Sequence, residues 1–392
     1  MRQVTLGHME ISQRGRSYVQ NVLDSNRLSR GHYTDTFERG FAQMHDCDHG
    51  VFCNSGTSAL QIALMSLKEE YGFKDGDEVL VPATTFIATS NVVIQCGLTP
   101  VFVDVDPTTF NIDINKAVIS NKTRAIIPVH LFGLPADMES VMGVAYENKL
   151  KVIEDSCECV GGSINGKSVG SFGDLACFST YVAHHIAAGI GGVVTTNDPV
   201  LAELCRSYMT HGRDNVYMSI DDDNTDDPSV LSTMVERRYN FERVGYSYRA
   251  TELEAAIALS ELEAIKLNLD MRKSNAACLT YLLGGLEHLL QTPYIPKGYD
   301  HTFMMYPMVL SPEYDLQDFL LHLEKNGIET RLMFPLLSQP VYRELFPGLE
   351  NKYPVSQKLT KQGFFIGCHQ GLVFEDLQYV SNVIRMYFKD RS

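Results

Sequence analysis

A chain of 392 residues with 44% hydrophobic and 21% charged residues is long enough for a large core in two lobes, with the composition of an ordinary soluble globular protein. Its formal charge of -15 argues against a nucleic acid or an anionic membrane as partner, because phosphate surfaces select basic faces. A small phosphorylated ligand held by a few local donors remains compatible with that charge.

The opening MRQVTLGHMEISQRGRSYVQ lacks the apolar run of a secretory signal. No later stretch approaches the roughly 20 apolar residues of a membrane span, so a cytoplasmic location is expected. From Val51 to Val194, β-rich apolar runs alternate with helical stretches. The pattern predicts strands at 78–81, 101–105, 125–129, 151–154, 176–179 and 193–196, with helices at 57–68 and 138–148 between them. Such alternation reads as a doubly wound α/β sheet with helices on both faces and a ligand at the strands' carboxyl ends.

Between 214 and 238 the alternation fails, and DDDNTDD (221–227) reads as a solvated acidic loop. A calcium loop is the rival, but the central glycine and closing glutamate of that pattern are missing. TELEAAIALSELEAIKLNL (251–269) predicts an amphipathic helix with Thr251 as N-cap and Glu254 three residues on. The remainder reads as a smaller α+β lobe, with a sheet-like run at 304–310 and a helix at 316–326. The expected division is a large ligand-binding domain with an N-terminal arm, 1–250, then a connecting helix and small domain, 251–392. Nine scattered cysteines suit reduced thiols, and Cys157 and Cys159 are too close for C-x-x-C metal or redox spacing, so no metal site is expected.

Four motifs carry candidate chemistry. In CNSGTSALQIAL (53–64), Ser55, Gly56, Thr57 and Ser58 stand where a helix begins, as an anion cradle or a plain N-cap turn. KVIEDSCE ends a strand in Glu154 and Asp155; the carboxylate either caps the next turn or faces a ligand, where it would keep a pyridine nitrogen protonated. In VPATTFIATSN, Phe86 is either a core residue or an aromatic platform for a cofactor ring. CFSTYVAHHIAAGIGGVV places Ser179 at a strand end, then His184 and His185, then a glycine-rich turn. Residues 189–192 are not a dinucleotide fingerprint, since the third glycine is missing and a strand follows. Adjacent histidines diverge, so one histidine acting as an acid–base group, near its ordinary pKa, is the economical reading.

In this order the motifs resemble the DegT/DnrJ/EryC1/StrS family of sugar aminotransferases. The likeness extends through SRGHYTDTFERGFA, PVFVDVDPTTFNID, VHLFGLPADM, GSFGDLACFS, GYSYRATELEAA and GIETRLMFPLLSQPVY, nearly the whole chain. It implies the aspartate aminotransferase-type fold (fold type I, a mostly parallel sheet in a three-layer large domain plus a small α+β domain). It also implies pyridoxal 5'-phosphate or pyridoxamine 5'-phosphate as cofactor. By resemblance Gly56, Thr57 and Ser179 bind its phosphate, Phe86 stacks on its ring, Asp155 pairs with its nitrogen, and Glu158 completes the site. Ser247 stands where the family has an asparagine reaching the partner subunit's phosphate, which implies a homodimer with shared active sites.

His184 occupies the position of the family's Schiff-base lysine, a role closed to imidazole. AHHI and Glu158 resemble the lysine-lacking nucleotide-sugar 3-dehydratases of the GDP-4-keto-6-deoxymannose 3-dehydratase type. That implies loss of the C3 hydroxyl from a nucleotide-linked 4-keto-6-deoxyhexose, with His184 as base and glutamate restoring the amine cofactor. A second dehydratase branch holds an iron–sulfur cluster through cysteines. Here Cys157 matches one, but Asn215, Val216 and Tyr217 offer no thiol, so no cluster is expected. A sugar aminotransferase and a non-catalytic binding homologue are the alternatives; the intact phosphate, ring-nitrogen and stacking positions argue against the latter, and Ile190, where the family often has glutamate, and Ser247 keep it open. His130, Arg249 and Arg331 are candidate substrate residues. The arginines suit a diphosphate or donor carboxylate, or surface ion pairs, and His130 suits the pocket or the core.

Overall fold

The computed structural model describes residues 2–218 and 226–391. In chain order the strands are β1 (His49–Cys53), β2 (Glu78–Pro82), β3 (Thr99–Val103), β4 (Thr123–Ile126), β5 (Lys151–Asp155), β6 (Ser163–Ile164), β7 (Lys167–Ser168), β8 (Leu175–Ser179), β9 (Gly192–Thr196), β10 (Leu290–Gln291), β11 (Tyr299–Asp300), β12 (Met305–Leu310), β13 (Thr330–Leu332) and β14 (Gly363–Gly367). Seven form the central sheet in the order β1-β9-β8-β5-β4-β2-β3. Neighbours are parallel except that β9 runs against both β1 and β8, so β9 alone opposes the rest. The predicted mostly parallel α/β architecture is what the chain adopts.

Side-chain alternation explains why both faces are covered. Val79 and Val81 pack with Leu60, Ala63 and Leu67 of the helix Gly56–Glu70, while Leu80 between them packs with Val141 and Ala145 of the helix Met138–Asn148. The predicted runs at 101–105 and 125–129 reach past the ladder. Their last members, Val105 and Val129, are buried beyond β3 and β4, where the chain walls the space between lobes.

A second, antiparallel sheet, β10-β12-β14-β13, carries the small lobe. The helix predicted from Thr251 spans Glu252–Leu282, with the capping box of Thr251 and Glu254 formed. Its first turns enter the large lobe's core through Ala255 and Leu259, and its last enter the small lobe's through Ala276 and Leu279. The N-terminal segment, expected as an arm of the large domain, lies on the small lobe. Val4 N–H donates to Gly327 O and Val4 O accepts from Glu329 N–H, each 2.9 Å.

The region 214–238 corrects the loop expected there. Asp227 caps a helix, Pro228–Arg237, whose first residue is proline, a pattern that starts helices although the composition looks like loop. Asp214 is buried and accepts from Arg237 Nη1 at 3.2 Å, so its charge is structural. Most of the acidic run, 221–225, lies outside the described residues. Among the described residues no helix is long and apolar enough to cross a membrane.

Candidate active site

A cavity of about 1220 Å³ opens at the carboxyl ends of β5 and β8, walled on the far side by Met304, Met305, Arg331, Leu332, Phe334 and Phe365 of the small lobe. Leu6, Gly7 and Met9 of the N-terminal segment complete it.

At one end stands the helix Gly56–Glu70. Ser55 caps it, its Oγ accepting the Ser58 N–H at 3.1 Å. The Gly56 and Thr57 N–H groups, without intrahelical partners at a helix start, then face the cavity with the positive end of the helix. A Cβ on Gly56 would stand 3.0 Å from both Cys157 Sγ and Ser179 Cβ, so glycine lets this turn sit close against the turn after β5 and the end of β8. The glycine-rich turn serves the same end. A Cβ on Gly192 would lie 2.4 Å from the Ser55 carbonyl, and Gly191 forms a bridge with Ser55 at φ +142°. These glycines let a strand press against the anion cradle.

Strand alternation separates the two carboxylates of β5. Glu154 faces the core, where its oxygens accept N–H groups of Gly170 (2.9 Å), Phe172 (2.8 Å) and Gly173 (2.8 Å) and face His130 Nε2 at 3.0 Å. The Ala136 N–H donates to His130 Nδ1 at 2.9 Å, so the other ring nitrogen carries the hydrogen given to Glu154. His130 is therefore a fully satisfied core histidine outside the cavity wall, which corrects its candidacy as a substrate residue. Asp155, the next residue, points into the cavity. It accepts the Thr89 hydroxyl at 2.8 Å and the Cys157 N–H at 3.3 Å. Burial pushes its carboxyl upward. Phe86 lies on the wall 55% exposed, edge-on to Phe334 with ring centres 6.1 Å apart.

His184 and His185 diverge. His185 is buried and its Nε2 meets Thr302 O at 3.2 Å, whereas His184 lines the cavity. The His184 Nδ1 is buried without a hydrogen-bond partner, and burial holds the imidazole down to about 4. This corrects the expectation of a near-ordinary pKa. The ring is neutral at physiological pH and takes up a proton reluctantly. Glu158 shares the wall, and burial pushes it up to about 8.

Arg331 reaches the cavity but already pairs with Glu329 at 2.7 Å, and the second Glu329 oxygen accepts the Leu6 N–H at 3.0 Å. Ser247 and Arg249 do not line the cavity. Both are exposed, with Arg249 Nη2 3.1 Å from Ser247 Oγ and 3.2 Å from His211 Nε2. Asn215 bonds Glu203 at 2.6 Å away from the cavity, and the side chains of Val216 and Tyr217 lie outside the described residues. Among the described residues no cluster of His, Cys, Asp and Glu is arranged to hold a metal ion. Sequence reading missed the apolar wall from Leu6, Met9, Met304, Met305 and Phe334, for which no local motif exists.

The donor set fits a flat, phosphorylated pyridine. It has N–H groups at a helix start, a hydroxyl, a carboxylate and an exposed phenylalanine face, all on one cavity wall.

The sequence model of the DegT/DnrJ/EryC1/StrS aminotransferase family matches residues 9–385. The chain is 35% identical over 371 residues to GDP-perosamine synthase of Caulobacter vibrioides, covering 93% of each. It is 33% identical over 370 residues to dTDP-4-dehydro-2,6-dideoxy-D-glucose 3-dehydratase of Saccharopolyspora spinosa, covering 90% of this chain and 80% of that one. It superimposes on GDP-4-keto-6-deoxy-D-mannose-3-dehydratase of E. coli, a structure with bound hydrated PLP. The TM-score is 0.86 at 24% identity, covering 98% of this chain and 100% of that one, a likeness of fold.

Proposed function

The chain belongs to the DegT/DnrJ/EryC1/StrS aminotransferase family, and from that premise we propose that it removes the C3 hydroxyl of a nucleotide-linked 4-keto-6-deoxyhexose in deoxysugar biosynthesis, using pyridoxamine 5'-phosphate and pyridoxal 5'-phosphate as alternating forms of one cofactor. One observation carries this reading. Among the described residues no lysine lines the cavity, and the side chain at the lysine position is a neutral imidazole without a partner on Nδ1. A dehydratase needs a base there; an aminotransferase of this family needs an amine. The named 3-dehydratase of Saccharopolyspora spinosa, 33% identical, supports the same side.

When bound, the cofactor supplies an amine for the keto carbon and a ring that accepts electron density. The protein supplies the rest. Gly56, Thr57 and Ser179 hold the phosphate by N–H and O–H donors, and Phe86 lies against the ring. Asp155, pushed up by burial while alone, regains its charge beside a protonated ring nitrogen, since opposite charge in a dry site favours the ionised pair. Glu158 closes the site near Asp155. His184 accepts the proton from the cofactor methylene, and the apolar wall from Met304 to Phe365 excludes water while the sugar reacts. Arg331 binds the substrate diphosphate or the donor carboxylate in place of its bond to Glu329.

Glutamate restores the amine form, Ser247 and Arg249 reach the cavity of a second copy in a cytoplasmic homodimer, and no iron–sulfur cluster takes part. The test is mass analysis of products from a panel of 4-keto-6-deoxy nucleotide sugars supplied with cofactor and glutamate. Loss of water supports the reading, and a gained amino group replaces it with the aminotransferase, which the family membership favours. No turnover leaves the non-catalytic binding homologue, to which Ile190 and Ser247 point.

A further inference from the structure

Dehydration moves two protons: one leaves carbon, and one must reach the departing oxygen. His184 accounts for the first. Glu158 is placed for the second. It follows Asp155 by three residues, is 7% exposed and lines the same cavity. One carboxyl oxygen accepts the Phe132 N–H at 2.7 Å, and that is its one hydrogen bond within the chain among the described residues. The titratable groups of its own turn are Asp155 and Cys157. His130 and Glu154 are already engaged with each other, and Tyr181, His184, Glu329 and Arg331 stand elsewhere on the wall. Arg331 is occupied by Glu329, and among the described residues no lysine or arginine pairs with Glu158, while a charged Asp155 opposes its ionisation. A carboxyl so placed keeps its proton, and the imidazole sharing its cavity stays bare. Environments that push two titratable groups apart in this way assign the acid and the base.

We propose that Glu158 stands in the resting site as a neutral carboxylic acid and delivers its proton to the departing C3 oxygen, so that acid and base are divided between Glu158 and His184. The inference rests on the dehydration reading and deepens it. As the C3–O bond breaks, its electron pair leaves with the oxygen, which takes the Glu158 proton and departs as water. The pair from the broken C–H bond forms the new double bond, and its proton resides on His184. Proton exchange through solvent between the imidazolium and the Glu158 carboxylate restores the starting pair.

Two measurements test it. In the cofactor-free protein, infrared difference spectra of wild type against Glu158→Gln read the protonation of this carboxyl directly. A protonated-carboxyl signal that persists at neutral pH and disappears as the pH passes about 8 is expected, and a carboxyl already ionised at pH 6 overturns the proposal. With cofactor bound, Glu158→Gln should slow release of water by about 10²–10⁴, the usual worth of a positioned acid. The glutamate half-reaction, which breaks no sugar C3–O bond, should slow by a clearly smaller factor. Equal losses in both would mean that Glu158 only holds the cofactor, and would overturn the proposal. Glu158→Asp, which retains an acid on a shorter arm, should recover part of the dehydration rate; no recovery in a folded, cofactor-binding variant counts against it. A wild type that never releases water but shows the expected carboxyl titration removes the dehydratase reading while leaving the charge state of Glu158 in place.

Discussion

Replacing His184 with asparagine tests the group on which the proposed chemistry depends. Asparagine keeps a polar side chain of similar reach but accepts no proton at accessible pH. Loss of a general base costs about 10²–10⁴ in rate, or about 3–5 kcal/mol of transition-state stabilisation. The environment adds a sharper expectation. An imidazole titrating at about 4 is about 97% neutral at pH 5.5, whereas one at its ordinary value would be about 9% neutral. Wild-type kcat/KM for dehydration should therefore keep about 95% or more of its pH 7 value at pH 5.5, where an unperturbed base would leave about 12%. The linkage has a definite sign. A histidine whose folded pKa is depressed loses stability as the pH falls from the unfolded value towards about 4, so wild-type unfolding near pH 5 takes up a proton that the variant does not. The assay pairs turnover of a 4-keto sugar with proton exchange at the cofactor methylene and an absorbance titration of cofactor binding. Wild-type exchange in the asparagine variant, or an acid limb near pH 6.5 in the wild type, would refute the assignment of His184 as a depressed, neutral base.

Further predictions bear on the same site. His184→Lys should capture pyridoxal phosphate covalently, giving a borohydride-reduced peptide at position 184 that the wild type lacks, and should slow loss of water because the new amine competes with the cofactor amine for the sugar. Gly192→Ala should weaken cofactor binding at least tenfold by absorbance titration and cost about 1–3 kcal/mol of stability, because its Cβ would stand 2.4 Å from the Ser55 carbonyl. An unchanged affinity would show that the cradle does not depend on that contact. Purified protein should carry no stoichiometric iron or acid-labile sulfide and should turn over without an electron-transfer partner; one cluster per chain would contradict the reading of residues 215–217.

Where a segment's neighbours in sequence are also its neighbours in space, the fold was legible. The strand at 151–154 and the helix at 138–148 were found because one is a short, continuously buried run and the other buries a stripe. β1 was missed because His49–Cys53 is short and owes its existence to antiparallel pairing with β9, some 140 residues later. The helix Pro228–Arg237 was hidden by the acidic run before it, although Asp227 and Pro228 form a start signal that composition does not weigh. The placement of residues 2–9 on the small lobe has no local signal, since Val4 is one apolar residue whose partners are Gly327 and Glu329.

In the site, identity was legible and environment was not. The sequence names Asp155, Gly56 and His184 through motif order, whereas local pattern alone leaves Glu154 and Asp155 alike, adjacent carboxylates that strand alternation sends to a core cage and to the cavity. Nor can it assign protonation. A histidine and a glutamate written in a sequence suggest an imidazole titrating close to neutrality and an anion. Burial moves both, holding His184 down to about 4 and pushing Glu158 up to about 8. Those opposed shifts suit the division of base and acid proposed for the dehydration. The exchange of lysine for histidine therefore removes an amine that would capture the cofactor and leaves in its place an imidazole that stays neutral at physiological pH.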